Sequence, residues 1–387
     1  MAAIRAAERG RRVLLLEKNK RCGTKILMSG GTRCNITQAT DARGIVEAFG
    51  KQGRFLHSAM ASLSPDDVIA LFHAESVRTK VEANGKVFPV SDKAADVLAA
   101  LMRRLRQSGC HLALDEAVES VERAAEGFRV TTSKRRLHAQ RLIVTTGGKS
   151  YPGSGTTGDG YPWMEALGHT VVKPRPALTP ITTDIAWVRQ LKGVTVPEVG
   201  AVVRASAQRL EADRGSLLFT HFGVSGPTPL NLSRVISGHA DPRTLELELD
   251  FLPGLSMPEL TDRLAPGKKS VLRILTEALP RRLASEILQL ANVDAERRTA
   301  ELPRADRGRL LEQLKSTRIP ISGTRGFKKA EVTAGGVALE EVDSRSMQSK
   351  LVPDLFIAGE LLDLDGPIGG YNFQAAFSTG WLAASNA

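Results

Sequence analysis

Cysteine is scarce in this 387-residue chain, which has only Cys22, Cys34 and Cys110. These three residues lack C-x-x-C spacing, which argues against a disulfide framework, a cysteine metal site and a disulfide-reductase pair. No apolar run reaches the roughly 18 residues that can span a bilayer. The first residues mix Arg and Glu with Ala and form no signal-peptide core. We therefore expect a cytoplasmic protein in a reducing compartment, without membrane contact and without a metal site.

Aromatic residues are also few, at 5% of the chain, and no base-stacking motif is evident. Lys and Arg number 53 against 42 Asp and Glu, which gives a net charge of +11. This balance suits a dinucleotide, an acidic substrate or nucleic acid, although a solvated surface can carry the same charge. Because the charge forms no clear stripe, we expect a small-molecule substrate and not nucleic acid. Nothing in the composition predicts an oligomeric state.

The N-terminal pattern indicates half of a nucleotide-binding unit. Residues 2–9 have helical character, Gly10 suits a helix cap, and residues 13–16 form a short apolar run that ends at Glu17. Helix, turn, strand and acidic residue form the second half of a Rossmann-type βαβ unit. The matching G-x-G-x-x-G loop would begin about 20 residues before Glu17, upstream of Met1. We therefore expect an absent glycine loop, through a misplaced start, a trimmed sequence or a natural form without it.

The length of the chain predicts two domains. Residues 91–108 have the pattern of an amphipathic helix, and short strands are expected at 111–114, 118–121, 128–132, 141–145 and 355–358 before a final helix near 374–384. Between about 178 and 330 the character changes to Pro-bounded strand candidates and a helical stretch at 272–290. The predicted fold class is α/β: a Rossmann-like domain over 1–178 and 331–387, with a β-rich α+β insert domain over 179–330.

Two segments combine open backbone with charge. Glu17 at a strand tip can accept hydrogen bonds from ribose hydroxyls, although such a residue is often merely solvated. Residues 23–35 place small residues at Ser29, Gly30 and Gly31 between the cations Lys25 and Arg33. That combination suits a phosphate or a flavin edge, and an ordinary basic loop is the alternative.

Two further segments place an apolar strand before a small-residue turn. Residues 141–145 lead into Thr146 and Gly147, where backbone can approach a nucleotide. The segment 359–374 continues from a glycine-rich turn into a helix, whose N-terminus can stabilise negative charge. A turn required only for packing is the alternative, but the density of Gly, Asp and Asn argues against it.

Together these segments resemble the aminoacetone-oxidase-like NAD(P)/FAD-dependent oxidoreductases, which are flavoproteins of the glutathione-reductase-like superfamily and include bacterial bile-acid reductases. The resemblance runs nearly end to end. It is carried by L-L-L-E-K-N from Leu14, S-G-G-T-R-C-N-I-T from Ser29, T-G-G-K-S-Y-P-G-S-G-T-T-G-D-G-Y from Thr146, F-T-H-F-G-V-S-G-P from Phe219 and A-G-E-L-L-D from Ala358.

The resemblance implies an FAD-binding domain with an insert, Glu17 on the adenosine ribose and Val118 near the adenine. The complete set of expected cofactor-binding residues is Glu17, Lys18, Lys25, Ser29, Gly30, Gly31, Arg33, Cys34, Asn35, Val118, Thr146, Gly147, Gly359, Glu360, Asp365, Gly369, Gly370, Asn372 and Gln374. The departures are the absent glycine loop and Thr32, where similar sequences often have a glycine. We expect the change at Thr32 to matter little.

The leading functional hypothesis is an FAD-dependent oxidoreductase that passes electrons between a small molecule and a nicotinamide cofactor or oxygen. NAD(P)H is a possible partner, although the sequence has no second G-x-G-x-x-G motif. His221 is a candidate proton donor and Cys34 a structural thiol. The alternatives are an RNA-associated flavoprotein and a non-catalytic remnant that has lost FAD binding.

Overall fold

The computed structural model describes residues 1–387, which form two compact units. Unit 1 comprises Met1–Arg175 and Val332–Ala387, and unit 2 comprises Pro176–Glu331. The two ends of unit 2 meet, because the Glu331 amide donates to the Leu178 carbonyl at 3.1 Å. This segmentation lies close to the boundaries expected from the sequence. The interpretation of unit 2 as an insert domain remains a proposal.

The first segment of unit 1 alternates short helices with short strands. The helices are α1 (Ala2–Glu8), α2 (Thr24–Thr32), α3 (Ala42–Ala48), α4 (His57–Ser62), α5 (Pro65–Ala74), α6 (Ala94–Gln107) and α7 (Gly160–Ala166). The strands are β1 (Leu14–Leu16), β2 (Thr37–Gln38), β3 (Thr79–Val81), β4 (Lys86–Pro89), β5 (His111–Ala113), β6 (Val118–Arg123), β7 (Phe128–Thr132), β8 (Arg136–Ala139), β9 (Leu142–Val144) and β10 (Val171–Ala177), the last of which runs into unit 2.

Unit 2 is built on one seven-stranded sheet with helices packed on it. Its elements are β11 (Ile181–Thr182), α8 (Ala186–Gln190), β12 (Thr195–Ala205), β13 (Gln208–Thr220), β14 (Gly223–Ser225), α9 (Pro227–Gly238), β15 (Leu245–Asp250), α10 (Met257–Arg263), α11 (Val271–Leu275), α12 (Arg281–Leu290), α13 (Arg304–Ser316), β16 (Thr317–Pro320) and β17 (Gly323–Thr324). The strand order is β16-β15-β12-β13-β14-β11-β17, and neighbouring strands are antiparallel. Alternate residues of β15, such as Leu245, Leu247 and Leu249, point into the core beneath the sheet.

Unit 1 resumes with β18 (Val332–Val337), β19 (Leu355–Ile357) and α14 (Tyr371–Asn386). Parallel pairing joins β1 to β5 and β19 to β9, whereas β6, β7 and β8 form an antiparallel meander. Parallel strands need crossover connections. The connection from β1 to β5 contains α2 to α6, and the connection from β9 to β19 contains α7, unit 2 and β18. The carboxyl ends of β1, β9 and β19 therefore carry the turns at Glu17, Thr146 and Gly359.

Local chemistry explains where the sequence prediction of elements differs from the structure. The stretch 272–290, predicted as one helix, is divided into α11 and α12 because Pro280 lacks the N–H that a continuous helix needs. The final helix begins at Tyr371, three residues before the predicted start, because Gly370 caps it in a left-handed conformation. No helix combines the length and apolar character needed to cross a bilayer.

Candidate cofactor site

The turn before α14 requires glycine. Gly370 has φ 98°, and a Cβ there would lie 2.5 Å from the Thr37 carbonyl carbon and oxygen. Asn372 fixes the turn from the other side, since its Oδ1 accepts from Gly366 N at 2.8 Å and its Nδ2 donates to Gly366 O at 3.0 Å. The first N–H groups of a 16-residue helix thus start from a rigid turn.

Two acceptor oxygens without partners lie beside this turn. The buried Asn35 has no partner for Oδ1, and the buried Oε1 of Gln38 also lacks one. These oxygens lie 2.9 Å and 3.2 Å from the positions that a Cβ would take on Gly370 and Gly369, respectively. A buried acceptor without a donor costs roughly 1–3 kcal/mol, so a donor is expected here. Gln38 is not among the cofactor-binding residues predicted from the sequence, because no motif or spacing near it indicates such a role.

The backbone from Ser29 to Cys34 is unusual. Ser29 is extended inside α2, and the next three residues have positive φ: Gly30 at 56°, Gly31 at 66° and Thr32 at 71°. Thr32 is strained, because a β-branched residue rarely adopts this backbone conformation. The expectation that Thr32 matters little for the cofactor stays a prediction. Cys34 is fully buried, and burial raises the pKa of its thiol to about 11, which keeps it protonated at neutral pH.

A four-residue polar network joins α2 to the turn after β19. Lys25 Nζ donates to Glu360 Oε2 at 2.5 Å and to Ser150 Oγ at 2.6 Å. Glu360 Oε1 accepts from Ser150 Oγ at 2.5 Å and from Thr333 N at 2.9 Å. The structure thus brings together the predicted residues Lys25 and Glu360, and it adds Ser150 and Thr333.

Arg33 is not an open cation. Its Nη1 lies 2.6 Å from Glu82 Oε1 and 3.5 Å from Asp92 Oδ1, and its guanidinium stacks over the Phe88 ring at 3.9 Å. The carboxylates of Glu82 and Asp92 therefore compensate the positive charge of Arg33, which the sequence predicts to face a phosphate or a flavin edge. A direct cofactor contact by Arg33 stays a prediction.

The end of β1 forms a second group of predicted residues. Glu17 is half-buried, and its Oε1 accepts from Asn19 N at 2.8 Å, which leaves the second carboxylate oxygen for another donor. Lys18 Nζ donates to Thr157 Oγ1 at 2.6 Å and pairs with Asp159. Val118 lies on β6, opposite Thr132.

Other predicted residues are held by the protein itself. Gln374 is buried, accepts from Thr37 Oγ1 at 2.6 Å and donates to the Leu63 carbonyl at 3.1 Å. Asp365 is buried as well, and the Gly359 amide donates to Thr379 Oγ1 at 3.0 Å. At the end of β9, Gly147 has φ 75° and Thr146 is exposed. These contacts order the turns, and cofactor contacts by these residues stay predictions.

Tyr161 is a residue that the sequence analysis missed, although it closes the long motif from Thr146. Its side chain is 5% exposed, and its hydroxyl is buried without a partner. Burial, followed by the negative charges of Glu360 and Asp363, raises the pKa of this phenol. The group therefore stays protonated and can donate a hydrogen bond.

His221 lies in unit 2, at the turn between β13 and β14. Its ring is exposed and meets the Phe222 ring edge-on, with 4.9 Å between the centroids. Its role as a proton donor stays a prediction. No group of three or more His, Cys, Asp or Glu side chains is arranged to hold a metal ion.

Residues 1–386 match the family model described as HI0933-like protein Rossmann domain. The chain belongs to this family. It is 32% identical to the ribosomal RNA dihydrouridine synthase of Escherichia coli, over 98% of this chain and 93% of that protein. It is 31% identical to the 3-dehydro-bile acid delta(4,6)-reductase of Clostridium scindens, over 99% of this chain and 95% of that protein.

Among solved structures, a 3-ketosteroid-delta4-(5alpha)-dehydrogenase from Rhodococcus jostii is similar with a TM-score of 0.47 and 15% identity, over 100% of this chain and 92% of that chain. Family membership confirms the predicted α/β Rossmann fold class and supports an FAD-dependent oxidoreductase. The narrower aminoacetone-oxidase resemblance is not confirmed, and NAD(P)H remains a prediction. The name of the Escherichia coli relative leaves nucleic acid open as a partner, against the expectation from aromatic content.

The residues around the glycine turn fit a flavin. An isoalloxazine ring has one imide N–H donor, and Asn35 and Gln38 offer acceptors without partners. The ring's acceptor atoms would match the unpaired N–H groups at the start of α14. Gly369 and Gly370 let the turn pack closely against the segment that carries Asn35 and Gln38, because a Cβ at either position would already meet neighbouring atoms.

We predict that Tyr161→Phe has opposite effects on the free and the loaded protein. Without FAD the variant should be at least as stable as the parent, because it loses a buried hydroxyl that has no partner. With FAD, it should bind about fivefold more weakly, equivalent to one lost hydrogen bond of about 1 kcal/mol. Thermal melting of the FAD-free protein and titration with FAD measure the two effects. A destabilised FAD-free variant with unchanged FAD affinity would assign the hydroxyl a purely structural role.

Proposed function

We propose that this chain is an FAD-dependent reductase of a carbon–carbon double bond conjugated to a carbonyl group. The observation that carries the proposal is the near full-length similarity to two proteins whose names describe this chemistry. Dihydrouridine is uridine with its ring C5=C6 bond reduced, beside a carbonyl. A delta(4,6)-reductase acting on a 3-dehydro bile acid likewise reduces double bonds conjugated to a ketone. The two names share a reaction type and differ in substrate. They therefore support the proposed reaction more strongly than they support any one substrate.

Bound FAD, once a nicotinamide cofactor or another two-electron donor has reduced it, would supply the electrons as a hydride equivalent. The residues of this chain would bind and orient it: the N–H groups at the start of α14 would stabilise negative charge, and Asn35 or Gln38 would accept from the imide N–H. Lys25 and Glu360 hold α2 against the turn after β19. Glu17 would accept from the adenosine ribose with its second carboxylate oxygen.

Reduction of such a double bond also needs a proton at the second carbon. His221 is our candidate for this donor, because its imidazole is exposed and can act as a general acid. His221→Gln keeps a hydrogen-bonding side chain and removes the imidazole. It should lower turnover while leaving the FAD dissociation constant unchanged, and an unchanged rate would remove His221 from the mechanism.

Ribosomal RNA is our first candidate substrate. The two relatives are almost equally identical to this chain, so identity does not choose between RNA and a steroid. The net charge of +11 did not by itself predict nucleic acid, but it suits a polyanion, and the Escherichia coli relative is named for ribosomal RNA. A 3-keto-4-ene steroid is the second candidate, since the Clostridium scindens relative supports it.

The deciding experiment supplies purified protein with FAD, records its visible spectrum and then offers each substrate with NADH, NADPH or dithionite. Flavin bands near roughly 370 and 450 nm indicate binding. Mass spectrometry of digested RNA should show a nucleoside heavier than uridine by two hydrogen atoms. Reduction of the steroid alone would replace the RNA proposal, and protein without flavin bands would favour a remnant that has lost FAD.

We predict that Glu17→Ala weakens FAD binding by about 1–3 kcal/mol, because the ribose hydroxyls lose a charged acceptor. Glu17→Gln separates charge from geometry, since an amide oxygen can still accept from Asn19 N. Glu119→Ala is the matched control, an exposed glutamate beside Val118. Isothermal titration with FAD gives all three dissociation constants. If Glu17→Ala and Glu119→Ala matched the parent, Glu17 would be an ordinary surface residue.

A further inference from the structure

A group of rings and cations lies beside the short strand β11 in unit 2. We define this group, the basic tip, as His221, Phe222, Arg325 and Lys328. The Arg325 guanidinium lies over the half-buried Phe222 ring, 4.5 Å from its centroid. The exposed His221 ring meets the same ring edge-on at 77°.

The backbone beneath the basic tip is rigid. Strand β11 pairs with β14 on one side and with β17 on the other, so Phe222 lies past one end of β11 and Arg325 lies past the other. The Arg325 side chain spans this distance to lie over the Phe222 ring. Thr183 N donates to the Phe222 carbonyl at 3.1 Å, and Arg325 N donates to the Pro180 carbonyl at 3.0 Å. Gly223 permits this approach, because a Cβ there would lie 2.3 Å from the Ile181 carbonyl oxygen. The stacked pair is therefore held in place before any partner arrives.

The charge of the basic tip is positive. Lys328 is exposed, and Lys329 beside it is exposed as well. The acidic residue on the adjoining segment, Asp184, forms an ion pair with Arg189 at 2.5 Å, which offsets its charge. A polyanion approaching the tip therefore meets cations next to flat rings.

We propose that the basic tip is a contact surface for single-stranded RNA. A base would stack on the layer formed by Phe222 and Arg325, and Lys328 would contact a neighbouring phosphate. Aromatic faces and Arg planes are the platforms on which unpaired bases stack, and cations follow the backbone. This inference rests on the proposed function with RNA as substrate. The part of unit 2 that would recognise the RNA is the basic tip.

The test measures binding of a fluorescent, uridine-rich single-stranded RNA of about 12 nucleotides by anisotropy at several salt concentrations. Phe222→Ala and Arg325→Ala should each weaken binding at least about fivefold, the loss expected for one stacked base. Phe222→Trp should restore it. Lys328→Ala should lower the slope of log affinity against log salt by about one. Lys268→Ala removes the same charge from another exposed site of unit 2 and is the matched control.

The outcomes separate this inference from the proposed function. The basic tip is supported as the RNA contact surface if Phe222→Ala and Arg325→Ala bind RNA more weakly, Phe222→Trp restores binding, and the melting temperature does not change. If the parent binds RNA and all variants bind equally, the tip is not the contact surface, although RNA remains the candidate substrate. If the parent binds no RNA even at low salt, both the RNA proposal and this inference fail.

Discussion

Gly370→Val is expected to yield protein that carries no flavin. At φ 98° any side chain is strained, and the backbone of Thr37 leaves no room for a Cβ, which would approach its carbonyl to 2.5 Å. Neither a rotamer change nor a small side-chain shift can relieve a collision with backbone. The turn must therefore move, and with it the N–H groups at the start of α14 and the acceptor of Asn35. Visible absorbance of the purified protein and titration with FAD measure the loss.

Gly168→Val is the matched control for this prediction. Gly168 has φ 91°, close to that of Gly370, but nothing lies within 4 Å of a Cβ at this position. It should lose about 1–2 kcal/mol of stability through backbone strain and keep its flavin. Amide hydrogen exchange across 176–331 should be unchanged in both variants, since the substitutions lie in unit 1. Wild-type flavin content in Gly370→Val would require a different site for the ring.

The sequence could identify the glycine turn because its signal is local. Glycines at 366, 369 and 370 between an apolar strand and a helical pattern already predict a turn that backbone must approach closely. The strands that lead to Glu17, Thr146 and Gly359 are predicted on the same kind of evidence, although their parallel pairing is seen only in the structure. In each case the pattern lies within a few residues of the feature.

The remaining parts of the site depend on neighbours far away in sequence. Arg33 is visible in the sequence as a cation, but its pairing with Glu82 and Asp92 is not. Gln38 and Tyr161 differ from other polar residues only because the fold buries their oxygens without partners. Such a property belongs to the packed structure and has no pattern in the sequence.

The second large effect is expected at Glu360, whose carboxylate accepts hydrogen bonds from three groups. Glu360→Ala removes the acceptor for Lys25 Nζ, Ser150 Oγ and Thr333 N together. Ser150 can turn to another partner, and Lys25 is partly exposed and can reach water. The Thr333 amide cannot move. We therefore expect a loss of about 2–4 kcal/mol in the free energy of unfolding of unit 1, somewhat below the cost of breaking a fully buried ion pair.

A double-mutant cycle separates the ion pair from the rest of this network. Glu360→Gln keeps an oxygen for Thr333 N but turns an amide towards Lys25, and Lys25→Met removes the cation while leaving two donors on Glu360. If the charges attract, the double variant should be more stable than the sum of the single losses, by about 1 kcal/mol or more. Denaturant unfolding followed in unit 1 gives the four free energies. If the two single losses of free energy add without any remainder, the ion pair contributes nothing to stability. Thr333 N and Ser150 alone then hold Glu360. In that case α2 is tied to the turn after β19 by neutral hydrogen bonds.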